Sequence, residues 1–295
     1  MVDAHHHLYD LENHHYPWLA ADPLFETFLG DYRPICQTYG IDNYLADAGP
    51  IGLRKSVHIQ SEFDPTNPVG ETAWLQRIAD KHGFPHGIVA WANLADSGVG
   101  ELLEGHAGFP NTRGIRQNLN WDALRPERSF TDRGDYLTDS SWRAGFGLLQ
   151  RYDMSFDLQI LPHQLVQAAD LAAAFPETQI ILDHAGLPID RDQVAMAMWR
   201  SGMRRLASFP NTTVKISGFG MLDHDWTVES IRTLVVEAIE IFGVNRAMFA
   251  SNFPVDGLYA TYSEVFSAYR TITAHFSYAE RRALFSDNAE RIYRL

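Results

Sequence analysis

MVDAHHHLYD, residues 1–10, sets three consecutive histidines between two carboxylates and among apolar neighbours. The stretch admits three readings: the start of a metal site, the stub of a purification tag, or a strand rich in histidine. A tag carries a longer run beyond a linker, whereas these histidines interrupt an apolar strand pattern. As a strand, alternation puts Asp3, His5 and His7 on one face and Ala4, His6 and Leu8 on the other. Two imidazoles two residues apart can reach a single cation. Histidines hydrogen-bonded into a polar interior explain the same residues without an ion.

Seven further runs share the character of the first. They are KSVHIQS (55–61), HGIVAWANL (86–94), TRGIRQNL (112–119), SFDLQIL (155–161), TQIILDH (178–184), TTVKISG (212–218) and RAMFASN (246–252). Each is short, rich in β-branched or aromatic residues, and followed by a turn former. Between them lie helical patterns such as 70–83, with Trp74, Leu75, Ile78 and Ala79 on one stripe, 137–153 and 227–243. Strands alternating with helices predict a parallel sheet with crossover helices. Eight repeats in this length fit a closed (β/α)₈ TIM barrel, one domain over 1–295. An open doubly wound sheet is the rival, but no G-x-G-x-x-G follows the first run. Two irregular stretches, 9–34 and 120–136, then become long loops on the face where barrel active sites assemble.

Composition narrows the function. The chain has 295 residues, 45% of them hydrophobic, and a formal net charge of −13. Nucleic-acid binding needs clustered cations, and here the basic residues are scattered, with no run longer than the pairs Arg204–Arg205 and Arg281–Arg282. The single cysteine, Cys36, excludes an internal disulfide framework and suits a reducing cytosol; it is read as a plain thiol in a helix over 35–45. Neither a signal peptide nor an apolar run of about 18 residues is present, so a cytoplasmic protein with a small-molecule substrate and no membrane partner is expected.

The strand ends carry the chemistry. His184 ends the sixth run, where an imidazole can hold a proton beside a cation or carbonyl. On the second run His58, Gln60 and Glu62 align, with Glu62 as candidate general base. The fourth offers Arg116 and Asn118, the fifth Asp157, Gln159 and His163, the seventh Lys215 and Ser217. So many polar residues on inward positions exceed what stability needs, because each buried charge must be compensated. Arg116 and Lys215 favour an oxygen-rich or carboxylated substrate. Asn252 ends the last run and cannot act as a base; Asp256 lies four residues on.

In order, DAHHHLYD with YPWL, VHIQSEFDP with GETAWL, RGIRQNL, ILDHAGLP, VKISGFG and MFASNFPVDG resemble the amidohydrolase superfamily. The resemblance covers nearly the whole chain and is closest to the lactonase-like branch, which includes fucono- and rhamnono-lactonases and 2-pyrone-4,6-dicarboxylate lactonases. It implies a barrel that hydrolyses cyclic esters at the strand C-termini. His5 and His7 match the family's His-x-His metal pair, implying one divalent ion, zinc first, although some members of the branch work without one. His184 matches the strand-six histidine and Arg116 the strand-four G-x-R element. Asn252 stands where many members have a water-activating Asp. Two other functions fit the pattern: a metal-dependent non-oxidative decarboxylase, and a ligand-binding barrel that has lost its base.

Overall fold

The eight runs form eight parallel strands paired in sequence order: β1 (Val2–His6), β2 (Lys55–Ile59), β3 (Gly87–Trp91), β4 (Thr112–Asn118), β5 (Ser155–Gln159), β6 (Ile180–Leu182), β7 (Thr212–Ile216) and β8 (Ala247–Phe249). The computed structural model covers residues 1–295. Helices α1 (Ile41–Ala48), α2 (Pro68–His82), α3 (Val99–Ala107), α4 (Ser140–Gly147), α5 (Leu165–Ala174) and α6 (Gln193–Ala207) fill the first crossovers. A short α7 (Phe219–Leu222) and then α8 (Val228–Phe242) follow β7, and α9 (Tyr262–Ile272), α10 (Tyr278–Arg282) and α11 (Asn288–Ile292) follow β8. This is a (β/α)₈ TIM barrel. No helix is long and apolar enough to cross a membrane.

Local chemistry explains the boundaries. Pro68 opens α2, and Gly83 closes it in the left-handed conformation that glycine adopts without a Cβ clash. Thr227 caps α8 by accepting from the Ser230 N–H. The helix expected over 137–153 breaks into α4 flanked by two tight turns, because the Asp139 side chain caps a new start by accepting from Trp142 N. Cys36 lies in no helix: it follows a single turn at Arg33–Ile35, and α1 begins only at Ile41. The strands stop one to three residues short of the predicted ends, since those last residues bend away to form the mouth.

Inside the barrel, Val2, Ala4, Val57, Ile59, Val89, Ile181, Met248 and Ala250 make an aliphatic layer, closed below by Ile292 and Tyr293 at the end of the chain. Above it lies an ionic layer. Lys215, fully buried, contacts Asp157 closely and stands 3.1 Å from Asp183, while the Tyr293 hydroxyl donates to Asp157.

Simple alternation fails on β1. The register slips between Asp3 and His6, so Ala4 joins the interior and His5 still faces inward, beside Lys215. Asp3, expected on the face of His5 and His7, lies instead on the helix side of the wall. Its carboxylate accepts from the hydroxyls of Tyr44 on α1, Tyr262 on α9 and Ser251, and from the N–H groups of Ser251 and His5. A bulge of this kind re-aims side chains at the cost of a regular ladder. The wall between β1 and β8 is then completed beyond the end of β8, by Asn252 N donating to His5 O (2.8 Å) and His7 N donating to Phe253 O (2.7 Å).

Replacing Asp3 by Ala strips the acceptor from several buried donors, each costing about 1–3 kcal/mol when unpaired. Urea unfolding followed by circular dichroism is expected to show a loss of at least about 3 kcal/mol, and Asp3→Asn, which keeps one acceptor oxygen, a smaller one.

Candidate active site

A cavity of about 740 Å³ opens at the C-terminal ends of the strands. Its floor holds His7, Glu62, Arg116, Asn118, Gln159, His184 and Asn252, and its upper walls come from the two long loops. Those loops are not loose. Trp18 Nε1 donates to Ser61 O, Phe28 N to Glu127 O and the Tyr259 hydroxyl to Leu29 O, over a cluster that includes Tyr9, Tyr16, Leu29, Tyr32 and Val255.

Three floor residues, Glu62, His184 and Asn252, have φ of +55°, +51° and +58°. Residues other than glycine seldom adopt the left-handed region, and such outliers cluster at sites where the surroundings hold them. Each lies two or three residues past a strand end, where the backbone turns over the barrel mouth and brings the side chain to the cavity.

The imidazoles are arranged by their second nitrogens. His7 Nδ1 donates to Ile59 O at 2.8 Å, which leaves its Nε2 with a lone pair. That Nε2 stands 3.2 Å from His5 Nε2. His5 Nδ1 lies 3.4 Å from Lys215 Nζ and 3.5 Å from Asp183. His184 Nδ1 pairs with Ser217 Oγ at 3.0 Å. Burial pushes His5 and His7 well below the usual histidine range, with Lys215 adding for His5 and Arg116 for His7. His184 falls to about 3, where burial and the nearby Arg116 and Lys215 outweigh Asp183. All three are neutral near pH 7.

Neutral nitrogens are what a metal requires, and zinc sits about 2.0–2.1 Å from each imidazole ligand. The 3.2 Å gap between the two Nε2 atoms is compatible with sharing one ion, and the donor atoms of His5, Asp183 and His184 lie within 4.8 Å of one another. Arg116 Nε and Asn118 Oδ1 are buried without a hydrogen-bond partner, as is Asp183 Oδ2, which lies 3.9 Å from the Arg116 guanidinium, while Asp183 Oδ1 is held by Lys215. Orphaned polar atoms around one floor are the mark of a place for an ion, water or ligand. Three neutral imidazoles with an adjoining carboxylate fit a divalent cation.

Glu62 is held from one side. Gln60 Nε2 and Asn118 Nδ2 both donate to its Oε1 at 2.7 Å, leaving Oε2 without a protein partner. Burial raises its pKa against the pull of Gln60 and Arg116. Arg116 donates to Gln60 O at 2.6 Å and reaches Gln159 at 3.4 Å.

The other predicted residues fall elsewhere. Gln60 lies behind Glu62 as its anchor. Asp157 and Lys215 sit in the ionic layer beneath the cavity and do not line it. His163 is exposed on the turn after β5, four residues beyond Gln159, and faces no part of the cavity. His58 does not share a face with Glu62: its Nε2 donates to Leu8 O and its ring packs against His6.

Two contributors, Asp183 and Glu71, went unnoticed in sequence, whereas Asp256 enters there only as the acid four residues beyond Asn252. Asp183 precedes His184 and links it to Lys215 and Arg116 (3.9 Å). Glu71, buried on α2, accepts from Ser61 N and so grips the residue before Glu62. Burial pushes Glu71 up to about 8, with Ser61 pulling against it and Glu62 adding. Asp256 sits behind Asn252, accepting from Gly218 N, Met221 N and, at 3.4 Å, Asn252 Nδ2. A carboxylate just before a strand-end histidine and a lone acid in the first turn of a helix were the available signals.

Comparison with known proteins agrees with this geometry. The family model described as Amidohydrolase matches residues 2–295. The chain is 47% identical over its full length to uncharacterized protein y4mH of Sinorhizobium fredii, covering 98% of that relative. It is 30% identical over 306 aligned positions to an L-fucono-1,5-lactonase of Burkholderia multivorans, covering 100% of this chain and 96% of that one. A crystal structure of a Burkholderia multivorans amidohydrolase with bound zinc superposes with a TM-score of 0.83 at 26% identity, covering 100% of this chain and 99% of the other. A match across all eight strands and the mouth they build leaves one assignment: the protein is a hydrolase of the amidohydrolase family.

Proposed function

We propose that the protein opens small, neutral, oxygen-rich lactones of sugar-acid type. The observation that carries this reading is a carboxylate with one free oxygen, Glu62, on the same cavity floor as the neutral imidazoles of His7 and His184 and the half-free guanidinium of Arg116. The lactonase relative, aligned over the whole chain, supports it independently.

Lactone hydrolysis needs a base for water and a field for the tetrahedral oxyanion. Glu62 Oε2 takes the proton from water, and a positioned base of this kind contributes about a hundred- to ten-thousandfold. Arg116 Nε–H supplies a donor for the oxyanion, an interaction worth about 3–4 kcal/mol of barrier in such sites. Asn118 Oδ1 and the Gln159 and Asn252 amides bind ring hydroxyls. His5, His7 and His184 would hold a divalent ion, which when bound polarises the carbonyl and acidifies water.

Charge selects among lactones. Arg116 is the one Lys or Arg lining the cavity, against three acids, Glu26, Glu62 and Glu127. Lys215, counted from the sequence as a substrate anchor, is occupied by Asp157 and Asp183. Among the lining side chains a dicarboxylated ring meets one cation and three anions, whereas a neutral polyhydroxy ring meets hydrogen-bonding partners without that repulsion.

Glu62→Gln is expected to lower kcat on a neutral aldonolactone at least a hundredfold in a pH-stat assay with KM little changed. Unchanged turnover removes Glu62 as base. The base works ionised, and burial raises its pKa, so wild-type kcat/KM should fall toward acid pH with an inflection above the ordinary carboxylate range. Zinc titrated into metal-stripped protein is expected to bind at one site, with affinity dropping more than tenfold in His7→Ala.

Asp256 has no part in this chemistry, and burial pushes its carboxyl up to about 7. The folded state therefore favours the protonated form, a contribution present in acid and lost as pH rises from the unfolded value near 4 through 7. Asp256→Asn should stay active within a few-fold. Its stability relative to wild type should rise with pH across that window, by at most about 1.4 kcal/mol per unit, in paired urea melts.

A further inference from the structure

Above its polar floor the cavity continues into a vestibule of a different character. Trp18 and Phe25 come from the loop after β1, Phe63 from the exit of β2, and Phe130 from the loop after β4. Phe130 stacks on Phe28 with ring centroids 5.1 Å apart, which fixes that wall. Phe25 stands at the mouth with 58% of its surface in solvent. The acids Glu26 and Glu127 stand among these rings, on the two facing loops.

A monosaccharide lactone seated on the floor groups leaves this upper space to water. The volume lies in the upper part of the roughly 300–1,000 Å³ range of pockets that enclose drug-sized ligands. Aromatic surface left facing water inside a cleft marks a place that a ligand covers. What covers it must suit both the rings and the acids. A pyranose does, offering a flat C–H face to aromatic rings and hydroxyl donors to carboxylates. An anionic group does not, because both polar charges there are negative.

We propose that the lactone taken by this site carries a glycosyl substituent, and that the vestibule between the two loops is the subsite for that second sugar ring. The inference rests on the lactonase reading for the floor but is tested apart from it. The floor opens the ester; the vestibule holds the neutral ring and sets preference by size.

The decisive measurement is equilibrium binding of unreactive δ-lactam analogues by isothermal titration, comparing gluconolactam with its glycosylated counterparts cellobionolactam and maltobionolactam. At least one glycosylated lactam should bind tenfold or more tightly than the bare ring. Phe25→Ala, which truncates an exposed side chain and spares the fold, should erase most of that gain while changing gluconolactam binding less than twofold. Glu127→Gln should reduce the gain in the same selective way. Equal or weaker binding of both glycosylated lactams overturns the proposal, as does a Phe25→Ala loss shared equally by bare and extended ligands. A phenyl-substituted lactam binding as well as the glycosylated ones overturns the sugar assignment. A parallel pH-stat panel of the corresponding lactones reports ring opening alone: no acid release with tight lactam binding sinks the hydrolase reading and leaves the vestibule standing.

Discussion

The structure depends on how its first and last strands are joined. Regular pairing runs from β1 to β8 in order, but the closing contact is made above β8, through His5 O with Asn252 N and His7 N with Phe253 O. The main chain that completes the barrel is thus the main chain that carries the histidine pair and the strand-eight amide. Asp3 secures the join from the helix side, bridging Ser251 of the last strand exit to Tyr44 and Tyr262. Because parallel strands exchange evenly spaced, slanted hydrogen bonds, a slip at this joint would move His5, His7 and Asn252 together. Site geometry and barrel closure are one constraint.

Beneath the site lies a second constraint, electrostatic rather than geometric. Lys215 is fully buried, and a buried ammonium is tolerable only with close counter-charges; Asp157 and Asp183 supply them. The pair also shapes the floor above. Burial would raise Asp183, but Lys215, His184 and Arg116 outweigh that and hold it below the usual carboxylate range. Lys215 and Arg116 in turn help keep His5, His7 and His184 neutral. The layer holds the imidazoles in the form that accepts a proton or a cation, without contributing a group to the cavity.

The fold was legible because periodicity reports it directly: all eight strands and their order follow from short apolar runs separated by helical stripes. The site was legible where side chains lie on regular strand, as with Arg116 and Asn118 on β4 and Gln159 on β5. It became illegible where backbone leaves the ladder. The slip on β1 sends Asp3 outward while His5 and His7 stay in, and no two-residue alternation anticipates it. Glu62 reaches the cavity through a left-handed residue rather than through the face shared with His58. His163 lies beyond the end of β5, so strand parity has no meaning there. The ionic layer was mistaken for substrate contacts because sequence marks a residue as inward without giving its depth.

Asn252 can be understood from its neighbours. An acid at this position would bring a second carboxylate against Asp256, whose Oδ1 stands 3.4 Å from the Asn252 amide nitrogen. Two carboxylates that close resist joint ionisation, so one would be held protonated and unfit as a base near neutral pH. The amide instead donates to Asp256, which is already committed to the N–H groups of Gly218 and Met221 and so organises the loop after β7. Asparagine also tolerates the left-handed φ that the strand exit imposes. With the eighth strand given to that structural pairing, the proposed proton transfer is assigned to a carboxylate on the opposite side of the first strand. Glu62 is the one on the cavity floor with a free oxygen, and Gln60, Asn118, Glu71 and Trp18 together hold it and the residue before it in place.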